Sequence, residues 1–102
     1  MSYCAELVTF TLSTSNEEFF ALRKAAITEV KAAHPKLLSV PFCAKRADGS
    51  WVDLWIYESK EAADAANADA ANLPEFMKMF AVIDGVEIEV TEYPESAVSP
   101  LA

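Results

Sequence analysis

The chain has 102 residues, 53% of them hydrophobic, with 16 acidic against 8 basic side chains and a net charge of −8. This length suits one domain with a real core, and an acidic balance without any basic cluster argues against nucleic acid as a partner. No apolar stretch approaches the roughly 20 residues needed to cross a membrane, and the N-terminus MSYCAELV lacks the basic and apolar regions of a signal peptide, so a cytoplasmic location is expected.

The first predicted strand runs from about Tyr3 to Leu12, rich in Val, Thr, Phe and Leu. Ser15 with Glu18 then forms a capping box, and Thr14 with Glu17 offers the same signal one residue earlier. The helix that follows reaches about His34. Phe19, Leu22, Ala26 and Val30 recur at helical spacing, Phe20 and Ile27 widen the stripe, and Arg23, Lys24 and Lys31 fall on its flanks. Pro35 ends it, because proline disfavours helix at the residue before it.

A second strand is predicted over Leu37 to Lys45. Pro41 inside it cannot donate to a sheet ladder, which calls for an edge strand or a bulge. Ala47-Asp48-Gly49-Ser50 is a turn signal, so a hairpin is expected between this strand and the next. The third strand, Trp51 to Glu58, carries Trp51, Asp53, Trp55 and Tyr57 on one face and Val52, Leu54 and Ile56 on the other. A strand apolar on one side and aromatic on the other reads as buried on both. Ser59 caps a second, alanine-rich helix through about Ala71. Asn72-Leu73-Pro74 restarts the chain into a short helix with Phe76, Met77 and Phe80, and the last strand spans about Val82 to Tyr93. The tail, residues 94–102, has few anchors and reads as loosely held.

The order strand, helix, strand, strand, helix, strand is the split βαβ, or ferredoxin-like, plan of an α+β domain spanning residues 1–102. Right-handed crossovers place the first and third strands centrally and the second and fourth at the edges. Helices then cover one face of a four-stranded antiparallel sheet. The apolar content suggests that a partner covers a second surface, and a homodimer is the simplest arrangement.

The chemistry inventory is mainly one of absences. His34 is the one histidine, and the chain has no HExxH and no cysteine–histidine spacing, so no metal site is expected. With two glycines, Gly49 and Gly85, it has neither GxGxxG nor a P-loop, and GxSxG is missing as well. No cofactor is expected from these patterns. Cys4 and Cys43 form no motif and read as small buried hydrophobes.

Asp53 is the sharpest candidate. A carboxylate among three aromatics is costly to bury unless hydrogen-bonded, paired or protonated. Facing the helices, an apolar setting would raise its pKa and suit it to acid–base work; reaching the sheet rim, it would pair with Arg46 or a lysine. Trp55 and Tyr57 are candidates for an aromatic wall with a hydroxyl handle, against core packing as the alternative. His34 is either a charge at a helix C-terminus or a general base. Phe76, Met77 and Phe80 are core, or a ligand-binding lid with Met77 as its adaptable part.

The run Trp51 to Ala66, and within it Tyr57-Glu58-Ser59-Lys60-Glu61-Ala62-Ala63, resembles the antibiotic biosynthesis monooxygenase (ABM) group. His34-Pro35-Lys36-Leu37-Leu38 is similar to that family's connection into its second strand. The resemblance implies a ferredoxin-like subunit pairing as a dimeric α/β barrel, with a pocket between helices and sheet. Some members of the family oxidise polycyclic phenols with oxygen and neither metal nor flavin; others degrade haem. The haem-degrading members carry Trp where this chain has Tyr57, an Asn on the first strand where it has Leu7 and Val8, and a His on the later helix where it has Phe76, Met77, Met79 and Phe80. Haem degradation is therefore not expected.

Two functions stand open on the sequence. One is a cofactor-independent monooxygenase acting on a small aromatic or quinol-type compound, with Asp53 or His34 taking a phenolic proton and Trp55, Tyr57, Phe76 and Met77 enclosing the ring. The other is a non-catalytic dimeric module that binds a small apolar or aromatic ligand or merely assembles.

Overall fold

The structure is a computed structural model and describes residues 2–98. Its strands are β1 (Ser2–Leu12), β2 (Leu37–Ser39), β3 (Cys43–Lys45), β4 (Trp51–Tyr57) and β5 (Ile83–Pro94), and its helices are α1 (Asn16–Ala33), α2 (Lys60–Asp69) and α3 (Pro74–Phe80). The sheet order is β2-β4-β1-β5, with β3 also pairing with β4. All pairings are antiparallel, and β1 and β4 are central as the crossover rule requires.

The second predicted strand is the main correction to the elements. Instead of one run over Leu37 to Lys45, two short pieces share the edge of β4, separated by Val40-Pro41-Phe42. Pro41 interrupts the ladder because it has no N–H to give. The hairpin turn forms as expected: Gly49 adopts φ +90, and Asp48 Oδ1 accepts from the backbone N–H of Ser50 at 2.9 Å. A bulge lies where the β1–β5 register shifts between Thr9 and Thr11, opposite Gly85 at φ +61. Of the tail expected to be loosely held, Pro94 ends β5 and Glu95–Ala97 make a 3-10 turn; residues 99–102 lie outside the described residues.

Both predicted caps form. Ser15 Oγ accepts from the Glu18 N–H at 3.2 Å, and Ser59 Oγ from the Ala62 N–H at 3.1 Å. The Glu18 carboxylate accepts from the Thr14 hydroxyl, so the reciprocal half of the box runs through the neighbouring residue.

Most core residues fall on two strand stripes and on the inward faces of α1 and α2. Cys4 and Phe10 of β1, with Trp51, Trp55 and Tyr57 of β4, meet Phe19, Ala26 and Val30 of α1. Ala62, Ala63 and Ala66 of α2 join them, their small side chains allowing α2 to lie close on the sheet. The opposite sheet face carries Leu7, Val52, Leu54 and Ile56, all half-buried without helical cover.

Candidate functional site

On the helix side of the sheet, the alternation of β1 turns Cys4, Glu6, Val8 and Phe10 inward, and that of β4 turns Trp51, Asp53, Trp55 and Tyr57 inward. The register sets Glu6 opposite Trp55 and Val8 opposite Asp53. A cavity lies over this floor. Asn67 of α2 and Phe19 of α1 line its sides, Phe76, Met79 and Phe80 of α3 form its roof, and Ile83, Val86 and Ile88 of β5 edge it. Glu6 and Asp53 are the two buried charged residues among those described, and both line it.

Asp53 does not meet the apolar setting expected of it, and its partner is neither Arg46 nor a lysine. Arg23 Nε donates to Oδ2 and Arg23 Nη2 to Oδ1, each at 2.9 Å. The side chains are 14% and 3% exposed, respectively. Arg23 follows Phe19 by one helical turn and precedes Ala26 by three residues, so it sits on the buried stripe of α1 and not on its flank. The planar fork of guanidinium matches a carboxylate in both bonds. With both oxygens engaged, the Asp53 carboxylate is fixed in orientation at the cavity wall.

Glu6 is the residue that sequence reasoning passed over. It is 3% exposed, and its Oε2 accepts from Asn67 Nδ2 at 2.8 Å. Burial pushes its carboxyl pKa up; the Asn67 hydrogen bond opposes this, and the charge of Asp64 adds to it. The signal was present in the sequence as one charged position in the alternation Cys4, Glu6, Val8, Phe10, the same kind of anomaly that marked Asp53.

Tyr57 is buried beside this group, and its hydroxyl is held protonated first by burial and then by the Glu6 charge. Among the described residues no buried side-chain nitrogen or oxygen lacks a hydrogen-bond partner. No hydrogen bond within that set reaches Glu6 Oε1 or the Tyr57 hydroxyl, on residues that line the cavity.

Trp55 forms the centre of the floor, and Phe76 meets it edge-on, with ring centroids 6.4 Å apart at 75°. Phe80 stacks on Phe76 at 6.2 Å and 21°. Met77 does not join them. The face of α3 toward the sheet is Phe76, Met79 and Phe80, at i, i+3 and i+4, which turns Met77 to the surface and gives the lining position to Met79. The Glu29 carboxylate of α1 accepts from the Phe76 N–H at 2.9 Å, tying the start of α3 to α1. The enclosed volume is about 60 Å³, well below the roughly 300 Å³ at which small-molecule pockets begin.

His34 lies elsewhere. It closes the C-terminus of α1, and its Nε2 meets Asp69 Oδ2 at 2.8 Å. Asp69 is held below the usual carboxylate range by its hydrogen bonds with Asn72 and then His34. Of the sequence candidates Asp53, Tyr57 and His34, the first two line one cavity, and His34 is outside its lining. Cys43 is half-buried, its thiol pushed up to about 12 by burial and then by Asp53, which leaves it unreactive.

The fold has counterparts among solved structures. SnoaB, a cofactor-independent oxygenase from Streptomyces nogalater, superposes with a TM-score of 0.69 at 17% identity, over 98% of this chain and 99% of that one. A candidate antibiotic biosynthesis monooxygenase from Caulobacter crescentus CB15 gives 0.69 at 19% identity, over 92% of each chain. Rv0793 from Mycobacterium tuberculosis gives 0.67 at 21%, over 94% of this chain and 99% of that one. No protein-family model and no curated protein matches the sequence. The ferredoxin-like fold expected from the element order is thus shared with these solved structures.

Proposed function

We propose that the chain is an ABM-like, cofactor-independent monooxygenase acting on a small aromatic or quinol-type compound. The observation that carries this reading is the cavity itself: an aromatic floor and roof, Trp55 below and Phe76 with Phe80 above, with polar groups set into the floor. Its support from outside the chain is the fold likeness to SnoaB.

In this reading α3 swings out to admit a ring, which lies against Trp55. One ring oxygen faces the Glu6, Asn67 and Tyr57 side, and the Arg23–Asp53 pair fixes the other end by charge and hydrogen bonding. Loss of a hydroxyl proton makes the ring an electron-rich anion, and dioxygen takes electrons from it directly. For an anthrone-type carbon, one oxygen atom ends as the new carbonyl, and the other leaves as water with the two hydrogens of the methylene. Closure of α3 keeps bulk water from the anion.

The functional unit in this reading is a homodimer. The uncovered sheet face with Leu7, Val52, Leu54 and Ile56 supports this, as do Ile88 and Val90, exposed on β5.

The test is oxygen uptake with hydroquinones and anthrones. Uptake that depends on enzyme concentration and falls in Tyr57→Phe at unchanged melting temperature is the expected result. The small enclosed volume favours a second reading, a non-catalytic module, which predicts ligand binding without any oxygen consumption.

A further inference from the structure

Two carboxylates line the cavity, and their surroundings separate their roles. Both oxygens of Asp53 are engaged by Arg23. Glu6 has one oxygen held by Asn67 and the other without a hydrogen bond among the described residues, on a strand position facing the centre of the aromatic floor. Its neighbours are a neutral amide and a protonated phenol in place of a cation. Asn67 acts as a support: it fixes the carboxyl plane and leaves Oε1 as the acceptor.

We propose that Glu6 is the proton acceptor of this cavity: its open Oε1 takes the hydroxyl proton of a bound phenol while Asn67 holds Oε2. The proposal deepens the monooxygenase reading and rests on it for the fate of the anion. In the step itself the phenol O–H bond breaks, the proton forms a bond to Oε1, and the electron pair stays on the ring oxygen. No oxidant enters until dioxygen meets the resulting phenolate. Tyr57, on the same face two residues along from Trp55, donates its hydroxyl to that oxygen as the charge develops.

Burial places the Glu6 carboxyl nearer to neutrality than an exposed one, which makes its ionised form the stronger base. The titratable and charged groups around it are Tyr57 from β4, Asp64 from α2 and Cys4 on its own strand, with Lys60 of α2 and Glu92 of β5 beside Cys4 and the Arg23–Asp53 pair farther along the cavity wall. The two cations are engaged by other carboxylates, Arg23 by Asp53 and Lys60 by Asp64.

The experiment compares the binding of phenol with that of anisole, its methyl ether, by chemical-shift titration of the full chain across the pH range from below to above the Glu6 pKa. An ionised acceptor distinguishes the two through a charge-assisted hydrogen bond, a difference of about tenfold or more in affinity. In the wild type the preference for phenol is expected at high pH and is expected to fade as Glu6 protonates; this arm needs no variant. Glu6→Gln, which keeps an acceptor for Asn67, should abolish the preference. On any quinol the wild type oxidises, it should lower kcat about 100-fold or more with little change in KM.

No preference for phenol in the wild type, or a preference and a kcat that survive in Glu6→Gln, overturns the proposal. A preference that depends on Glu6, in a protein that consumes oxygen with no quinol, keeps the acceptor and sinks the monooxygenase reading instead.

Discussion

Arg23 of α1 and Asp53 of β4 meet in a two-point contact at 2.9 Å per bond, with both side chains out of solvent. This pair bolts the first helix to the central strand at the cavity wall. Removing one partner leaves the other buried and unpaired. Arg23→Ala should therefore lower stability by about 3–5 kcal/mol, while a double replacement of Arg23 and Asp53 by apolar residues of similar volume should cost much less. Denaturant midpoints at unchanged m-value measure both. An Arg23→Ala loss no larger than that of the double variant would show that the pair is not coupled.

Glu6 carries a sign prediction. Its folded pKa is raised above the unfolded value near 4.5, so the folded state binds more protons in the window between the two. Its contribution to stability is then fully present below the unfolded value and is lost as pH rises through the folded one. Glu6→Gln cannot ionise and escapes that loss. Relative to the wild type, the variant should gain stability as pH rises above the unfolded value. Parallel pH profiles of the two proteins would mean that Glu6 titrates as in the unfolded chain.

Glu29 controls the roof. Its carboxylate caps the Phe76 N–H, and α3, at seven residues, is too short to be stable alone. Glu29→Ala should cost about 0.5–2 kcal/mol, the range of a lost helix cap. It should also speed hydrogen exchange of the α3 amides and ligand entry. Unchanged exchange at Phe76 would remove Glu29 from any role in opening.

Tyr57→Phe deletes a hydroxyl that makes no hydrogen bond within the described residues. Melting temperature should change little, and oxygen uptake should fall through kcat. A large thermal loss with unaltered kcat would assign Tyr57 to packing alone.

The half-buried sheet face makes the prediction for assembly. Light scattering should return twice the chain mass for the wild type, and Leu54→Lys, which puts a charge in the centre of that face, should shift it towards monomer. A wild-type monomer would remove the homodimer from the reading.

The element order, both helix caps, the hairpin at Asp48-Gly49 and the edge role of Pro41 were legible in the sequence, because each follows from local rules of backbone conformation and hydrogen bonding. The inward stripe of β4 was legible for the same reason: alternation in a strand has a period of two. The sequence by itself also marked Asp53 as a buried charge in need of a partner.

Tertiary structure alone decided which partner that would be. Arg23 lies 30 residues away on another element, and the choice among Arg23, Arg46 and the lysines depends on how α1 is rotated over the sheet. Asn67 reaches Glu6 across 61 residues for the same reason. The rotation of α3 exchanged Met77 for Met79 in the cavity, and the meeting of the C-terminal ends of α1 and α2 set His34 against Asp69. Local propensity sets the path of the backbone; the meeting of polar side chains from distant elements is set by packing, which no local window contains.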